Sequence, residues 1–240
     1  MRLHAALTPA DLKGLDLPSW RAVVIDVTRA TSTISQAIAS GATRVIPVAT
    51  IAEAKRVKAR LAPEVALLGG ERDGLRIKGF DLGNSPRDYT AKAVKGKTIV
   101  FTTTNGTLAL KASAKAKETL AGSFLNLGAI VRRLAKGRGD IVLVCAGREG
   151  KPVLDDTVCA GAYAEALLEA IGDLAPTEEA AYALSLYERY RGRVSAALGE
   201  SPSGKALEAS GLGLDLADCA KVDALKAVPA LVRGEVVRLS

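Results

Sequence analysis

The sequence has few aromatic residues, a single histidine and no long hydrophobic run. Aromatic residues make up 4% of the 240 residues, so the base stacking that binds single-stranded nucleic acid has little support. The one histidine, His4, lies near an N-terminus that we expect to be loose, which argues against Ser-His-Asp and Cys-His hydrolases. No apolar run approaches the ~20 residues of a membrane span, and the N-terminus lacks the apolar core of a signal peptide. We therefore expect a cytoplasmic protein with neither nucleic-acid nor membrane partners.

Cysteine is also scarce, and its spacing excludes two kinds of site. The three residues, Cys145, Cys159 and Cys219, are far apart and form no Cys-x-x-Cys pair, which indicates neither a zinc site nor a disulfide framework. The net charge of +7 has three explanations: nucleic acid, an anionic substrate or a basic surface. Because Lys and Arg recur within helical segments such as 55–60 and 132–136, we favour solvated helix faces.

Apolar runs that alternate with helical patterns predict an α/β fold. We expect a three-layer structure, with a mostly parallel or mixed sheet, helices on both faces and a helical C-terminal part over 176–220. The predicted strands are 22–27, 44–48, 65–68, 98–101, 118–121 and 140–145, and 230–239 is predicted to form a hairpin. A length of 240 residues suits one α/β domain over 1–240, and two lobes with a boundary near 120–140 are the alternative.

The most informative stretch is 22–33, where an apolar run ends in a carboxylate. Asp26 closes the run, Arg29 follows, and a helical pattern then begins with three hydroxyl residues, Thr31, Ser32 and Thr33. In α/β sheets ligands bind beyond the carboxyl ends of the strands, and free backbone N–H groups at a helix start attract anions. Asp26 is then a candidate cation ligand or nucleophile, and Arg29 with the hydroxyl turn a candidate oxyanion site. An ordinary strand end followed by a helix cap fits the same residues equally well.

Chemically similar residues follow three later predicted strands. Glu71 and Arg72 follow the third strand, 102–107 follows the fourth, and 148–149 with 155–156 follow the strand at 140–145. Parallel strands bring their carboxyl ends to one rim of a sheet, so we expect these groups to lie together. Carboxylates, guanidinium groups and glycine turns are the groups that bind Mg²⁺ and phosphate. Each set alone also fits a surface ion pair, a helix cap or strand residues, but their joint placement favours a site.

These residues belong to a series of motifs that runs through nearly the whole chain. The most specific segments are 24–33, 68–72, 79–86, 102–107, 122–126, 145–147 and 155–161, and weaker ones follow at 203–205, Gly211, Asp215, Cys219 and 228–229. The series resembles the 2-phosphosulfolactate phosphatase family. One departure is Thr28, where an aliphatic residue is more usual, and we expect it to affect packing. The resemblance implies an α/β phosphatase that needs Mg²⁺ and hydrolyses 2-phospho-3-sulfolactate to sulfolactate and phosphate on a route to coenzyme M.

Together, the resemblance and the chemistry of the residues predict metal-assisted phosphoryl transfer to water. The residues expected to be catalytic are Asp26, Arg29, Glu71 and Asp156, and those expected to hold the metal are Asp26, Glu71, Asp155 and Asp156. The residues expected to bind the anionic substrate are Thr31, Ser32, Thr33, Arg72, Asn84, Thr103, Thr104, Asn105, Gly106 and Arg148. Covalent attack by an Asp, direct attack by water, the true substrate and a homodimeric state all stay open.

Two other functions fit part of the pattern. A haloacid-dehalogenase-like phosphatase acting on another small phosphorylated hydroxy acid would use Asp26 as nucleophile, with Thr102 and 155–156 in matching order. Thr28 stands where that scheme needs a second Asp, so its acid–base partner would be missing. The other alternative is a protein that binds a phosphorylated metabolite without turnover. We disfavour it because simple anion binding tolerates few carboxylates beside the ligand.

Overall fold

The computed structural model describes residues 1–239, and these form one large sheet flanked by helices. The strands are β1 (Arg2–Ala6), β2 (Trp20–Ile25), β3 (Arg44–Pro47), β4 (Ala66–Arg72), β5 (Leu75–Arg76), β6 (Thr98–Thr102), β7 (Glu118–Gly122), β8 (Asp140–Cys145), β9 (Ala175–Pro176), β10 (Val228–Val232) and β11 (Glu235–Leu239). The helices are α1 (Ala30–Ala39), α2 (Ile51–Lys58), α3 (Ala91–Val94), α4 (Gly106–Ala112), α5 (Leu127–Ala135), α6 (Leu154–Ala170), α7 (Glu178–Tyr190), α8 (Val194–Glu200), α9 (Pro202–Ala209) and α10 (Leu214–Cys219). The predicted α/β class and the helical C-terminal part are confirmed.

The sheet consists of two parallel blocks joined by an antiparallel hairpin. Its strand order is β5-β4-β6-β3-β11-β10-β7-β2-β8-β1-β9. β4, β6 and β3 are mutually parallel, as are β7, β2, β8 and β1. Between the blocks lies the predicted C-terminal hairpin, β10–β11, which pairs antiparallel with β7 on one side and β3 on the other. The sheet is therefore mixed, which was one of the two predicted forms.

This topology corrects the expectation that one parallel rim gathers the site residues. Three successive antiparallel pairings separate β3 from β7, so the two blocks run in opposite directions within the sheet. Six strand-to-strand steps lie between β4 and β2. Residues at or just after the carboxyl ends of β2, β4 and β6 nevertheless line one pocket, among them Asp26, Glu71 and Thr104.

Strand β2 shows why the structure has three layers. Val23 and Ile25 pack into a core with α5, α6 and α7, whereas Ala22 and Val24 pack into a second core with α1 and α4. All six residues of β2 are buried, as expected for a central strand covered on both faces. A smaller cluster, which includes Leu68 and Phe80, lies near α2 and β4. Within residues 1–239 no helix is both long and apolar enough to cross a bilayer.

The expectation of a loose N-terminus is wrong. Residues 2–6 form β1, which pairs in parallel with β8 along its length. Leu3 and Ala5 are buried in the core, and the His4 ring is within hydrogen-bond distance of the Thr177 hydroxyl, at 3.1 Å. Three apolar residues, Leu3, Ala5 and Ala6, in so short a run gave too weak a pattern to predict this strand. The predictions of one domain over 1–240, and of a lobe boundary near 120–140 as the alternative, stay predictions.

Gly161 gives a test of the contact between α6 and α7. A Cβ atom at this position would lie 2.0 Å from the Ala183 carbonyl oxygen and 2.6 Å from Tyr187 Cβ. Replacing a helical glycine by alanine normally stabilises a protein by about 0.5–1 kcal/mol. Here the backbone contact reverses the sign, and we expect Gly161→Ala to lower the free energy of unfolding by about 1–3 kcal/mol.

Urea unfolding followed by circular dichroism measures this loss. Gly172→Ala is the matched control, because a Cβ atom there meets no atom within 4 Å, and its effect should stay within about 0.5 kcal/mol. A Gly161→Ala protein as stable as the wild type would contradict the close approach of the two helices.

Candidate active site

A pocket of about 190 Å³ opens beside the ends of β2, β4 and β6. Seven of the predicted site residues line it, and they come from five separate segments of the chain: Asp26, Arg29, Glu71, Asn84, Thr104, Asn105 and Arg148. The structure thus brings together in one cavity most of the charged groups that the sequence placed after different strands.

Asp26 is fixed at the start of α1 by backbone contacts. Its Oδ1 accepts a hydrogen bond from the Ala30 backbone N–H at 3.1 Å. A Cβ atom on Gly106 would lie 2.5 Å from its Oδ2, so the absence of a side chain there lets α4 approach the carboxylate. Desolvation, together with the charges of Asp155 and Glu71, raises the pKa of Asp26 to about 7 from an ordinary 3.8.

Glu71 ties the end of β4 to the loop after β6. Its Oε1 accepts from the backbone N–H and the hydroxyl of Thr104 at 2.7 and 3.0 Å, and its Oε2 accepts from the Gly74 N–H at 2.8 Å. Glu71 is buried, and these three hydrogen bonds fix its carboxyl group at the pocket that Asp26 also lines.

Asp155 and Asp156 lie behind the pocket at the start of α6. Asp156 accepts from the Val27 N–H at 2.9 Å and the Gly147 N–H at 3.1 Å, and so connects the loops after β2 and β8. Burial and the charges of Asp155 and Asp26 raise its pKa well above the ordinary value. Burial also raises the pKa of Asp155 to about 6. Neither residue lines the pocket itself.

The oxygen atoms around the pocket suit a hard divalent cation, but they do not form a complete set of ligands for one. The buried oxygens Asp155 Oδ1 and Asn84 Oδ1 have no hydrogen-bond partner, and the neighbouring carboxylates repel one another. Within residues 1–239, however, no three acidic, His or Cys side chains converge as a closed set of metal ligands. Mg²⁺ commonly binds through one or two carboxylates together with water and substrate oxygens, and this site can provide that.

The three hydroxyl residues after Arg29 do not face the pocket. The hydroxyls of Thr31, Ser32 and Thr33 donate to the backbone carbonyls of Asp26, Val27 and Asn84, respectively. All three residues are fully buried within the first turn of α1. In this structure their hydroxyls brace the loops that carry Asp26 and Asn84, and their role as phosphate ligands stays a prediction.

Two further predicted substrate ligands also point elsewhere. Arg72 donates to the Glu71 and Ala49 carbonyls and to the Thr102 hydroxyl, and it lies outside the pocket. The Thr103 hydroxyl accepts from the Thr107 N–H at 3.2 Å, which closes the turn before α4. Alternate side chains of a strand point to opposite faces, so adjacent residues in a motif need not share a site.

Arg29 is buried, and its charge is paired. One terminal nitrogen lies 2.6 Å from Asp215 Oδ2, and the other donates to the Gly74 carbonyl. From the sequence, Asp215 was only part of a weak late motif with no assigned role. Four polar residues of the pocket were also given no catalytic, metal or substrate role, although Glu149 was expected at the same rim: Thr28, Asp73, Glu149 and Ser203. The signal for Asp215 was an acid among the apolar residues of a short helix.

Comparison with known proteins shows the family to which this chain belongs. A family model described as 2-phosphosulpholactate phosphatase matches residues 6–234. The chain belongs to the 2-phosphosulfolactate phosphatase family. A relative in Caldanaerobacter subterraneus subsp. tengcongensis is 41% identical over 240 residues, covering 100% of this chain and 99% of its own. A relative in Clostridium acetobutylicum is 38% identical, covering 99% and 100%, and one in Thermotoga maritima is 45% identical, covering 89% of each chain. Each is called a probable 2-phosphosulfolactate phosphatase.

The buried acids predict how the stability of this 2-phosphosulfolactate phosphatase family member depends on pH. A carboxyl group with a higher pKa in the folded state than in the unfolded state binds its proton more tightly when folded. The pKa values of about 7 for Asp26 and about 6 for Asp155 therefore favour the folded state at low pH. This stability is lost as the pH rises from about 4 to about 7. In chelator, the melting temperature should fall between about pH 5 and about pH 8.

Differential scanning calorimetry of Asp155→Asn tests the cause of this fall. The variant removes one buried charge and should flatten the decline. Asp140→Asn removes the partly buried partner of Arg2, whose pKa is lowered rather than raised, and should leave the slope unchanged over this range. A wild-type melting temperature that rises between the two pH values would contradict the repulsion among the acids.

Proposed function

We propose that the protein is a Mg²⁺-dependent phosphatase that hydrolyses 2-phospho-3-sulfolactate to sulfolactate and phosphate. The observation that supports this most directly is the convergence of Asp26, Glu71 and Arg29 in one pocket, in a chain of this family. Phosphoryl transfer needs acids that hold a metal and donors for the phosphoryl oxygens, and these three side chains offer both.

The metal would be held chiefly by Asp26 and Glu71, with Asp155 close behind. Asp156 lies outside the pocket, unlike Glu71, and both of its oxygens accept from backbone N–H groups, so we assign it to positioning the loops rather than to direct coordination. When bound, Mg²⁺ would neutralise the carboxylates and the charge that develops on the phosphoryl oxygens. Its binding would also remove the electrostatic penalty of keeping several ionised acids together.

The remaining polar groups of the pocket would orient the substrate. Arg29 and the turn at Asn105 and Gly106 would donate to the phosphoryl oxygens, whereas both donors of Thr104 are bound to Glu71. Arg148 lies at the pocket and donates to the Pro202 carbonyl through one terminal nitrogen, which leaves other N–H groups for a second anionic group. A substrate with phosphate, carboxylate and sulfonate groups would use both arginines, because guanidinium groups pair with all three.

Substitution of Asp26 tests the proposed catalytic role most directly. Asp26→Asn keeps the size of the side chain but removes its charge and its ability to accept a proton or a phosphoryl group. We expect phosphate release to fall by at least about 1,000-fold. The assay should use a panel of phosphorylated hydroxy acids that includes 2-phospho-3-sulfolactate, with Mg²⁺ and with chelator. Asp140→Asn, which lies outside the pocket, is the control.

The outcomes of this panel separate the alternatives. Loss of wild-type activity in chelator supports the metal, and the best substrate identifies the natural class. A covalent phosphate trapped on Asp26 would favour the haloacid-dehalogenase-like scheme. Near-normal phosphate release by Asp26→Asn would contradict the catalytic assignment, and tight binding without release under any metal would indicate a binding protein.

Gly106 supplies a second test, based on shape rather than charge. The Cβ atom of Gly106→Ala would lie 2.5 Å from Asp26 Oδ2 and 2.5 Å from Ala30 Cβ. The carboxylate would have to move, and small misplacements of reacting groups are costly. We expect kcat to fall about 10-fold or more, measured as phosphate release, while Gly172→Ala should retain wild-type turnover. Normal kcat in Gly106→Ala would exclude a role for this close contact.

A further inference from the structure

We propose that Asp215 is a positioning residue that holds Arg29 with its free N–H groups towards the phosphoryl site. The inference rests on the proposed function for the identity of the reaction. Asp215 lies in α10, far along the chain from Arg29, and does not line the pocket. It binds the guanidinium group of Arg29, which does line the pocket.

The contact is short and shielded from water. Asp215 Oδ2 lies 2.6 Å from a terminal nitrogen of Arg29, and both side chains are 3% exposed. A guanidinium group has five N–H donors in a rigid plane. Asp215 and the Gly74 carbonyl engage its two terminal nitrogens, so two contacts fix the plane while other donors remain for a ligand in the pocket.

Asp215 is itself held in place. Its second oxygen, Oδ1, accepts from the Ser85 hydroxyl at 2.7 Å, and Ser85 follows Asn84 of the pocket. Arg29 lies between the end of β2 and the start of α1, where no regular structure fixes its side chain. The chain Ser85–Asp215–Arg29 therefore supplies the rigidity that the loop lacks.

Stability alone does not explain the pair. Removing two charges from water costs several kcal/mol, and apolar replacements for buried ion pairs are often as stable or more so. Asp215 also offsets the positive charge of Arg29, which weakens its long-range attraction for anions. An arginine that acted only through its charge would bind phosphate more tightly without Asp215. An arginine that must be oriented would lose function without it.

The test compares Asp215→Asn with wild type in steady-state phosphate release. We expect kcat/KM to fall about 100-fold, mainly through kcat, because misplaced groups cost about this factor. Asp218→Asn in the same helix, whose partners Arg87 and Lys221 are largely exposed, should keep wild-type kinetics. In an Arg29→Lys background, Asp215→Asn should reduce kcat by less than about threefold, since the guanidinium that it positions is gone.

Several results would overturn the proposal. These are wild-type kcat in Asp215→Asn, a full 100-fold further loss in the Arg29→Lys background, or tighter phosphate binding by Asp215→Asn. Calorimetric titration with inorganic phosphate and Mg²⁺ measures that binding and does not depend on turnover. We expect at least tenfold weaker phosphate affinity in Asp215→Asn. This measurement tests the inference even if the wild type hydrolyses none of the offered substrates. Such a lack of hydrolysis would count against the proposed function and not against the positioning role of Asp215.

A folding defect would be recognised separately. Circular dichroism and melting temperature are recorded for each variant, and Ser85→Ala provides a milder change that leaves the ion pair intact. We expect Ser85→Ala to lower kcat about three- to tenfold, in the same direction as Asp215→Asn. If Asp215→Asn fails to fold, wild-type kcat in a folded Ser85→Ala protein overturns the proposal.

Discussion

The repulsion among buried carboxylates is the constraint on which the site depends. Asp26, Glu71, Asp155 and Asp156 come from the ends of β2 and β4 and the start of α6, and their charges influence one another. The chain offsets part of this cost with backbone N–H donors from Ala30, Thr104 and other loop residues. The rest is left uncompensated, which supports the proposal that the pocket binds a divalent cation. The geometry of the loops follows from the need to supply those donors.

The polar residues next to the acids serve this arrangement more than they serve the pocket. The hydroxyls of Thr31, Ser32 and Thr33 fix loop carbonyls, and Arg72 binds carbonyls around β4. Much of each motif is therefore scaffolding, and only a few side chains are presented to the cavity. Arg29 combines both roles, because its guanidinium group binds Asp215 and also lines the pocket.

The sequence predicted the elements with strong local patterns. The apolar runs at 22–27 and 140–145 are central strands, and the acids after them lie at or behind one pocket. It did not predict β1, whose pattern is too short, or the direction of Arg72 and Thr103, because side-chain direction depends on strand phase and local partners. The role of Asp215 could not be predicted, since the contact joins residues 186 positions apart and depends on the complete tertiary fold.

The hairpin β10–β11 has a consequence for how the protein is made. It is the sole link, within the described sheet, between the block that carries Glu71 and the block that carries Asp26, and the ribosome produces it after every other strand. Until it emerges, the nascent polypeptide has two half-sheets with open edges, which are prone to mispairing. Closure by a segment so distant in sequence is slow, because such contacts have high contact order. During synthesis, therefore, the two blocks should first be joined only by the core that they share with α1 and α4, and the sheet should become continuous only when the hairpin emerges.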